Sequence, residues 1–415
     1  MSIIVQKFGG TSVADIDRIR NVAKKVKKEL DRGHKIAVVV SAMAGVTNQL
    51  VDLVKQVSPL STDIAREEYD AVVSSGEQVT SGLLALVLNE LGIPARSWFG
   101  WQIPLISDSY HSKARIDDIQ ASALLKSINS GTVAVIAGFQ GVDPYGRVST
   151  LGRGGSDTSA VAIAAALKAE RCDIYTDVDG VYTCDPRIVA KARKLEKIGY
   201  EEILEMASQG AKVLQTRSVE MAMNHHVRVQ VLSSFSDAEG TLLVDEEELV
   251  ERRRITGIAY SRDEARITLT SVANVPGVSA AIFGPLADAN INVDMIVQNV
   301  NVTGAETDVT FTVSHADLHN ALEAMEKARN TIKYKALNSD KAVSKISVIG
   351  VGMRSHAGIA KTMFKTLSEK GINILVISTS EIKISVLVAE EYTELALRSL
   401  HTAYELDAEE KNGSI

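Results

Sequence analysis

Residues 3–12 read IIVQKFGGTS, an apolar run that ends in two glycines and two hydroxyl side chains. Short, nearly continuous apolar runs are typical of strands that are buried on both faces of a parallel sheet. Four more such runs lie at 35–41, 132–139, 172–177 and 228–232. Helical patterns separate them, and the first carries apolar residues at spacings of three and four after Ser12. We therefore predict an α/β fold up to about residue 235, with a mainly parallel sheet sandwiched between helices.

The composition limits the class of protein. The chain has 415 residues, 45% of them hydrophobic and 23% charged, which indicates a soluble protein of roughly three domains with large cores. A net charge of −7 leaves no basic surface for a polyanion, so no nucleic-acid partner is expected. Cys172 and Cys184 are not in CxxC spacing and support neither a disulfide nor a zinc site. Without a signal sequence or a long apolar stretch, a cytoplasmic protein with no membrane partner is expected.

The C-terminal part of the chain repeats itself. Residues 236–256 mix an acidic run with a basic triplet and break the strand–helix alternation, so a domain boundary is placed there. Beyond it, PGVSAAIFGPLADANINVDMI from Pro276 aligns with AGIAKTMFKTLSEKGINILVI from Ala357 at an offset of 81 residues. Strand patterns flank both copies, which predicts two βαββαβ modules. The predicted domains are 1–245 and two modules at 265–340 and 341–415, with a linker at 246–264.

The turn after the first strand carries candidate chemistry. In KFGGTS, paired glycines let the backbone approach an anion, the following helix adds N–H groups and a positive dipole, and Lys7 adds a full charge. This is the pattern of a phosphate-binding turn, although it matches neither the P-loop nor the dinucleotide-binding motif. An ordinary tight turn remains the alternative interpretation.

A second glycine cluster, TLGRGGSDT at 150–158, precedes another helical run. Ser156 or Asp157 can simply cap that helix. Arg153 suits bidentate capture of a carboxylate or phosphate beside exposed N–H groups, and Asp157 can orient a lysine of the site.

Other candidates have an ordinary structural interpretation as well. Glu77 in GEQ can be a solvated helix residue, Ser41 and Thr47 can be turn formers, and Lys212 can be solvated. The aspartates of DIYTDVDGVYTCDP, from Asp173, can face a ribose or a metal, or merely form a turn. All eight histidines lie outside these clusters, and no metal site is assigned. A carboxylate acceptor, with a pKa near ~4, needs no base for phosphoryl transfer.

The motifs KFGGTS, VVVSAM, GEQ, TLGRGGSDTSAV and DIYTDVDGVYTCDP, followed by two similar modules, closely resemble the aspartate kinases over essentially the whole chain. The resemblance implies an amino-acid-kinase fold, two ACT domains and a monofunctional enzyme, since no homoserine dehydrogenase portion follows. The implied reaction is phosphorylation of the β-carboxylate of L-aspartate by ATP with Mg²⁺. Its product, 4-phospho-L-aspartate, leads to lysine, threonine and methionine.

The resemblance also assigns residues. Lys7, Arg153 and Asp157 would be catalytic, with Asp157 holding Lys7, Arg153 clamping a carboxylate and Glu77 facing the aspartate ammonium. Aspartate would be bound by Ser41, Thr47, Glu77, Arg153, Gly154, Gly155 and Ser156. ATP would be bound by Lys7, Phe8, Gly9, Gly10, Ser12, Thr176, Asp177, Tyr182, Asp185, Pro186, Arg187 and Lys212.

In the regulatory half, the resemblance implies lysine and/or threonine as effectors at an interface between paired ACT domains of a homo-oligomer. The effector residues would be Asn274, Val275, Pro276, Gly277, Val278, Ser279, Asn292, Val293, Asp294, Gln298, Asn373, Ile374, Ser380 and Glu381. Turns that lead into strands are the alternative interpretation of these segments. Asn274 stands where close relatives often carry an acid, and Ala357 replaces a common proline, so the identity of the effector stays open. STSEIKISVLV resembles the type inhibited jointly by lysine and threonine.

Two other functions remain alternatives. One is a kinase of the same fold with a different acceptor, although such relatives do not usually carry two ACT modules. The other is a catalytically silent amino-acid sensor, against which the intact Lys7, Arg153 and Asp157 argue.

Overall fold

The computed structural model describes residues 2–211, 213–249, 254–302, 304–355 and 358–408. Its described residues form two compact units. The first unit contains Met1–Val181, Lys194–Ala207 and Lys212–Val250, and the second contains Tyr182–Arg193, Ser208–Ala211 and Glu251–Ile415. Two short segments from the N-terminal part of the chain therefore belong to the second unit, which the sequence did not lead us to expect.

The first unit contains twelve strands and eight α-helices among its described residues. The strands are β1 (Ile3–Phe8), β2 (Lys35–Val40), β3 (Ala95–Trp98), β4 (Leu105–Ser107), β5 (Ile116–Ile119), β6 (Val133–Ala137), β7 (Gln140–Val142), β8 (Val148–Thr150), β9 (Arg171–Thr176), β10 (Lys197–Gly199), β11 (Val229–Ser233) and β12 (Thr241–Val244). The helices are α1 (Ile16–Asp31), α2 (Val46–Val57), α3 (Asp63–Val73), α4 (Ser75–Glu90), α5 (Ser122–Asn129), α6 (Gly155–Ala166), α7 (Tyr200–Ser208) and α8 (Thr216–Asn224).

An eight-stranded sheet forms the centre of the first unit, in the order β10-β12-β11-β9-β1-β2-β6-β3. All neighbours are parallel except β11 and β12. Helices α1 and α4 pack on one face and share a core with alternate residues of β1, β2 and β6. Helix α6 packs on β1, β2 and β9, and its first ten residues are buried. The predicted α/β/α architecture is confirmed, and each of the five predicted strands forms within two residues of its expected bounds. A separate four-stranded sheet has the order β5-β4-β7-β8.

Helix α1 illustrates how local sequence signals set the elements. The side chain of Asp15 caps the helix by accepting a hydrogen bond from the N–H of Arg18 at 2.8 Å. Ile19, Val22 and Val26 form the buried stripe at spacings of three and four. The cap fixes the start of α1 and the buried stripe fixes the helix to the protein core, so the glycine turn before α1 is anchored on this side.

One stretch of the described chain, 63–90, is long and apolar enough by composition to cross a membrane, and half of its apolar window is buried inside the protein. It consists of two helices, α3 and α4, that meet at Ser74. Asp70 and Glu77 are both buried within it. These features favour two core helices of the first unit.

The second unit contains six strands and five α-helices among its described residues. The strands are β13 (Gly257–Ala273), β14 (Asp294–Val300), β15 (Glu306–Val313), β16 (Ala336–Ile349), β17 (Val376–Thr379) and β18 (Lys383–Ala389). The helices are α9 (Val278–Asp288), α10 (Leu318–Lys327), α11 (Arg329–Ile332), α12 (Ile359–Glu369) and α13 (Thr393–Ala403). All six strands form one antiparallel sheet, in the order β14-β15-β13-β16-β18-β17.

The two repeats are visible as α9 and α12, which have equal lengths and begin 81 residues apart, as the alignment predicted. The predicted linker at 246–264 needs a correction, because β13 begins at Gly257. Residues 257–261 pair with 345–349 of β16, and residues 264–270 pair with 336–343 of the same strand. Residues 265–273 also pair with β15 on their other side. Strand β13 thus pairs with β16 along most of its length, and this continuous strand joins both modules. The burial of Gly257, Ile258 and Ala259 explains why this segment is a strand and not a linker.

Candidate active site

A cavity of about 480 Å³ in the first unit lies where β1 and β2 end and α6 begins. It is lined by Lys7, Gly10, Ser41, Ala42, Met43, Ala44, Gly45, Thr47, Asn48, Tyr69, Glu77, Ser112, Lys113, Phe139, Gly152, Arg153, Gly154, Gly155, Ser156 and Asp157. Ligands of open α/β sheets bind beyond the carboxyl ends of the strands, and this cavity has that position. The structure thus brings both glycine-rich turns together with Ser41, Thr47 and Glu77.

Lys7 and Asp157 form a buried ion pair in the lining of this cavity. The Lys7 Nζ and Asp157 Oδ1 atoms are in contact, and the two residues are 8% and 9% exposed. A Cβ placed on Gly9 would lie 3.5 Å from Lys7 Nζ, so the glycine turn passes directly beside the amine. Lysine presents three donors on a compact charge. A phosphate group that enters the cavity therefore meets an amine already held in place by Asp157.

The turn between β8 and α6 requires glycine for two reasons. Gly154, the N-cap of α6, has a φ of 72°, and a Cβ there would lie 2.1 Å from the Gln215 side chain. Gly155, Ser156 and Asp157, in the first turn of the 12-residue helix α6, line the cavity, and the N–H groups of Gly155 and Asp157 donate to the carbonyls of Gly152 and Gly154 at 3.0 and 3.1 Å. Arg153 is exposed on the same turn. The turn can therefore present a guanidinium and the positive end of a helix dipole to one anionic ligand.

Glu77 lies in the first turn of α4, immediately after the break at Ser74. A Cβ on Gly76 would lie 2.7 Å from the Ala42 Cβ, so glycine allows α4 to approach the loop after β2 closely. Glu77 Oε1 accepts a hydrogen bond from the Ala42 N–H at 3.0 Å, and Oε2 is buried without a hydrogen-bond partner among the described residues. Burial raises the pKa of this carboxyl to about 7. The interpretation of Glu77 as a solvated helix residue is wrong, and its unpaired oxygen is suited to a cationic ligand group.

Some residues expected to bind a nucleotide are placed elsewhere. The Phe8 ring is in the core and stacks on Tyr175 with ring centroids 4.5 Å apart, so its side chain does not reach a ligand. The buried Ser12 hydroxyl bonds to the Ser234 hydroxyl at 2.5 Å. Thr176 donates to Asp177 at 3.2 Å just after β9, and neither residue lines the cavity.

Four more of the expected nucleotide-binding residues, from Tyr182 to Arg187, belong to the second unit. There, the Arg187 side chain donates to both carboxylate oxygens of Asp185, at 3.0 and 2.8 Å. The Arg187 side chain is the main cause that lowers the pKa of Asp185. Pro186 lies between these two residues, and Lys212 lies outside the described residues.

Sequence reasoning missed the group that holds one wall of the cavity. Asp70 on α3 is fully buried and accepts hydrogen bonds from His111 Nδ1 at 2.8 Å, from the Ser112 N–H at 3.0 Å and from the Thr150 N–H at 2.9 Å. Two segments that are distant from α3 in the sequence, 111–112 and the end of β8, therefore meet at this single carboxylate. Nothing in the sequence around Asp70 distinguishes it from a solvated helix residue, because all its partners lie more than 40 positions away.

The expected effector residues lie in the second unit around the starts of α9 and β14. Segment 274–279 leads into α9, where the Ser279 hydroxyl lies 3.5 Å from the side-chain oxygen of Gln298 on β14. Asn274 donates to the Gly304 carbonyl at 2.9 Å. The first residue of β14, Asp294, follows Asn292 and Val293 and forms an ion pair with Lys345, which also contacts Glu264 at 2.9 Å. In the second module, Asn373 and Ile374 precede β17, and Ser380 and Glu381 lie in the turn to β18.

Comparison with known proteins identifies both halves of the chain. The profile of the amino acid kinase family matches residues 2–233, and that of the ACT domain matches 267–328 and 346–404. An aspartate kinase of Stutzerimonas stutzeri (strain A1501) is 54% identical over 409 residues, which are 98% of both proteins. The crystal structure of E. coli aspartokinase III with aspartate and ADP has a TM-score of 0.80 at 29% identity and covers 97% of this chain and 99% of that one. The same enzyme with lysine and aspartate has a TM-score of 0.78 at 29% identity, with coverages of 96% and 99%.

Proposed function

The chain belongs to the aspartate kinase family within the amino acid kinases, and on that premise we propose that it phosphorylates the β-carboxylate of L-aspartate with ATP. The product would be 4-phospho-L-aspartate, a precursor of lysine, threonine and methionine. The observation that carries the proposal is the single cavity that combines the Lys7–Asp157 pair, Arg153 and the unpaired oxygen of Glu77. ATP and aspartate are both metabolites of the cytoplasm, where we place the enzyme.

The transfer step needs charge compensation more than a base. The acceptor carboxylate has an ordinary pKa near ~4 and is already ionised at neutral pH, and no histidine lines the cavity among the described residues. Negative charge is spread over the oxygens of the phosphoryl group during transfer. Lys7 and the positive end of the α6 dipole would stabilise this charge without reorganisation, because the Asp157 ion pair and the fold already hold them in place. The exposed side chain of Arg153 would add a further positive charge.

Aspartate would bind through the groups that line the rest of the cavity. Glu77 would accept the ammonium group through Oε2, which has no hydrogen-bond partner among the described residues. Arg153 would clamp a carboxylate. Hydrogen bonds from Ser41, Thr47, Ser156 and the backbone of Gly154 and Gly155 would complete the pocket.

ATP would approach along the glycine turn at Gly9 and Gly10, with its phosphates near Lys7. Roles for Thr176 and Asp177 at the nucleotide remain part of this proposal, and those of Tyr182, the segment 185–187 and Lys212 stay predictions from the sequence. The described residues contain no group of three histidine, cysteine or acidic side chains able to hold a metal ion. Mg²⁺ commonly binds mainly to substrate phosphates and water, and this arrangement fits a chain without a preformed cage. When bound with ATP, the ion would neutralise phosphate charge.

The experiment that tests the proposed reaction is an assay of ADP release from ATP with L-aspartate, L-glutamate and UMP as acceptors. We expect saturable release with L-aspartate alone, together with formation of an acyl phosphate that hydroxylamine traps. Release with one of the other acceptors only would favour another kinase of this fold. A protein that binds ATP but releases no ADP at any aspartate concentration would instead be a silent sensor.

The activity should depend on the ionisation of Glu77. Its carboxyl has a pKa of about 7 because of burial, so below pH 7 the neutral form predominates and the ammonium group of aspartate loses its counter-ion. We expect kcat/KM for aspartate to fall about tenfold per pH unit between pH 7 and 5, since kcat/KM reports the free enzyme. Steady-state rates at fixed, saturating ATP measure this slope.

Two variants check that Glu77 is the group responsible. Glu77→Gln should lower kcat/KM at pH 8 and flatten the profile between pH 7 and 5. Glu90→Gln, on the exposed end of the same helix, should keep the wild-type slope. An unchanged slope in Glu77→Gln would show that another group titrates.

We further propose that lysine and threonine, singly or together, inhibit the enzyme by binding at the ACT modules of a homo-oligomer. The E. coli relative solved with lysine supports an amino-acid effector in this family. The edge strands β14 and β17 expose Ile296, Val300 and Ile377, which suits pairing between chains. Binding at such an interface can shift the kinase between states through a coupling free energy.

Inhibition should therefore weaken when the contact between Ser279 and Gln298 is removed. Gln298→Ala should raise the concentration of lysine plus threonine needed for half inhibition by about tenfold, as expected for about 1.4 kcal/mol. Initial rates with each amino acid alone and with both measure this and identify the effector. Asn330→Ala, exposed on α11, is the matched control and should be inhibited like the wild type. Equal inhibition of the Gln298 variant would remove this residue from the effector site.

A further inference from the structure

One of the charged side chains that line the cavity, Lys113, has no role in the proposed function. Lys7 is neutralised by Asp157. Arg153 and Lys113 also line the cavity, and neither forms an ion pair with any described residue. With Glu77, the cavity thus offers two free cations and one carboxylate. Aspartate carries two carboxylates and one ammonium group, which is the complementary set of charges.

Lys113 is held beside Arg153 by its backbone. A Cβ on Gly152 would lie 3.3 Å from the Ser112 carbonyl oxygen and 3.6 Å from the Lys113 Cα, so the Lys113 loop packs against the start of the Arg153 turn. On the other side, the Ala114 N–H donates to the Thr150 carbonyl at 2.9 Å. The Arg217 side chain donates to the carbonyls of Ala114 at 2.9 Å and of Leu151 at 2.8 Å. One guanidinium therefore fixes the distance between the loop and the turn.

The buried Asp70 also holds the loop that contains Lys113. It accepts hydrogen bonds from the Ser112 N–H and from the ring of His111, which is 5% exposed. Ser112 adopts a φ of 70°, a left-handed conformation that is unusual for serine and persists where the surroundings determine it. The backbone of Lys113 is thus rigid on both sides, whereas its side chain is exposed and ends without an ion-pair partner in the described chain.

We propose that Lys113 is a specificity-determining residue that binds the carboxylate of the acceptor that Arg153 does not hold. This rests on the proposed aspartate kinase reaction. The lysine and Arg153 together would select a dicarboxylic amino acid, because an acceptor with one carboxylate would leave one cation without a partner. Asp70 and His111 are positioning residues, because they hold the backbone that carries Lys113.

The test measures KM for aspartate and KM for ATP in Lys113→Met and Lys113→Arg. We expect Lys113→Met to raise KM for aspartate about tenfold, to leave KM for ATP within twofold and to leave the melting temperature unchanged. Lys113→Arg should recover most of the loss, because the charge is kept. Lys126→Met, an exposed lysine on α5, is the matched control and should behave as the wild type.

The outcomes separate this inference from the proposed function. If the wild type phosphorylates aspartate but Lys113→Met has an unchanged KM for aspartate, the inference is overturned and the proposed function stands. If both KM values rise together, or the melting temperature falls, Lys113 has a structural role and the inference is likewise overturned. A wild type without activity towards aspartate would overturn both.

Discussion

Replacing Lys7 by methionine should lower kcat by about 10²- to 10³-fold, which is the usual effect of removing one fixed group that stabilises transition-state charge. Lys7 is the buried cation of the cavity and is held by Asp157 beside the glycine turn, whereas Arg153 and Lys113 are exposed, so neither is expected to replace the proposed contact of Lys7 with the phosphates. KM for aspartate should change much less, because the proposed acceptor site uses other groups. Single-turnover rates at saturating ATP and aspartate measure the effect.

The burial of the ion pair complicates this experiment. Removing one partner of a buried pair leaves an uncompensated charge and commonly costs about 3–5 kcal/mol of stability. The double variant Lys7→Met/Asp157→Asn removes both charges, so it should fold while kcat stays low. Lys24→Met, exposed on α1, controls for the loss of a lysine. A folded double variant with kcat within threefold of the wild type would rule out a catalytic Lys7.

Local sequence patterns were sufficient to predict the strands and helices, but not the distant segments against which they pack. The five apolar runs and the two repeated helices could be located because burial on both faces and helical periodicity leave direct marks in the sequence. The segment Tyr182–Arg193 could not be assigned to the second unit in the same way. Its buried residues Cys184 and Val189 pack with Ile258 and Leu397, and apolar side chains do not encode which distant core they join.

The continuity of β13 was missed for a related reason. Its middle, around Arg262 and Asp263, is exposed and charged and therefore has the character of a linker. The strand persists there because β16 continues alongside it on both sides of that point. Pairing with a distant strand overrides local composition in this segment.

The residues of the cavity could likewise be predicted only where the local sequence has a distinct pattern. The contact between Lys7 and Asp157 could be anticipated because each lies next to a glycine-rich turn with a distinct chemical pattern. The cation Lys113 and its buried support could not, since Asp70, His111 and Thr150 meet only in the folded chain. The burial of Glu77 depends on the close approach of Gly76 to Ala42, which the sequence does not reveal.

Replacing Arg153 by methionine should lower kcat/KM for aspartate by about 10²-fold. A guanidinium that binds a carboxylate makes two charge-assisted hydrogen bonds with a net contribution of about 1.5–3 kcal/mol each, and the exposure of Arg153 places the expected loss at the low end of that range. Because Arg153 is exposed and has no ion-pair partner among the described residues, its loss should leave the fold and the melting temperature unchanged. Steady-state kinetics with aspartate varied at saturating ATP measure the loss.

A lysine substitution distinguishes bidentate binding of a carboxylate by Arg153 from a contribution of positive charge alone. If Arg153 binds a carboxylate through two parallel bonds, Arg153→Lys should recover less than a tenth of the lost kcat/KM, because a lysine cannot make that pair of contacts. If it provides only positive charge, Arg153→Lys should recover most of it. Arg20→Met, which breaks an exposed pair with Asp17 on α1, should leave the kinetics unchanged. Wild-type kcat/KM in Arg153→Met would remove Arg153 from the acceptor site. Lys113 would then be the one exposed cation of the described cavity left to bind a carboxylate of the acceptor.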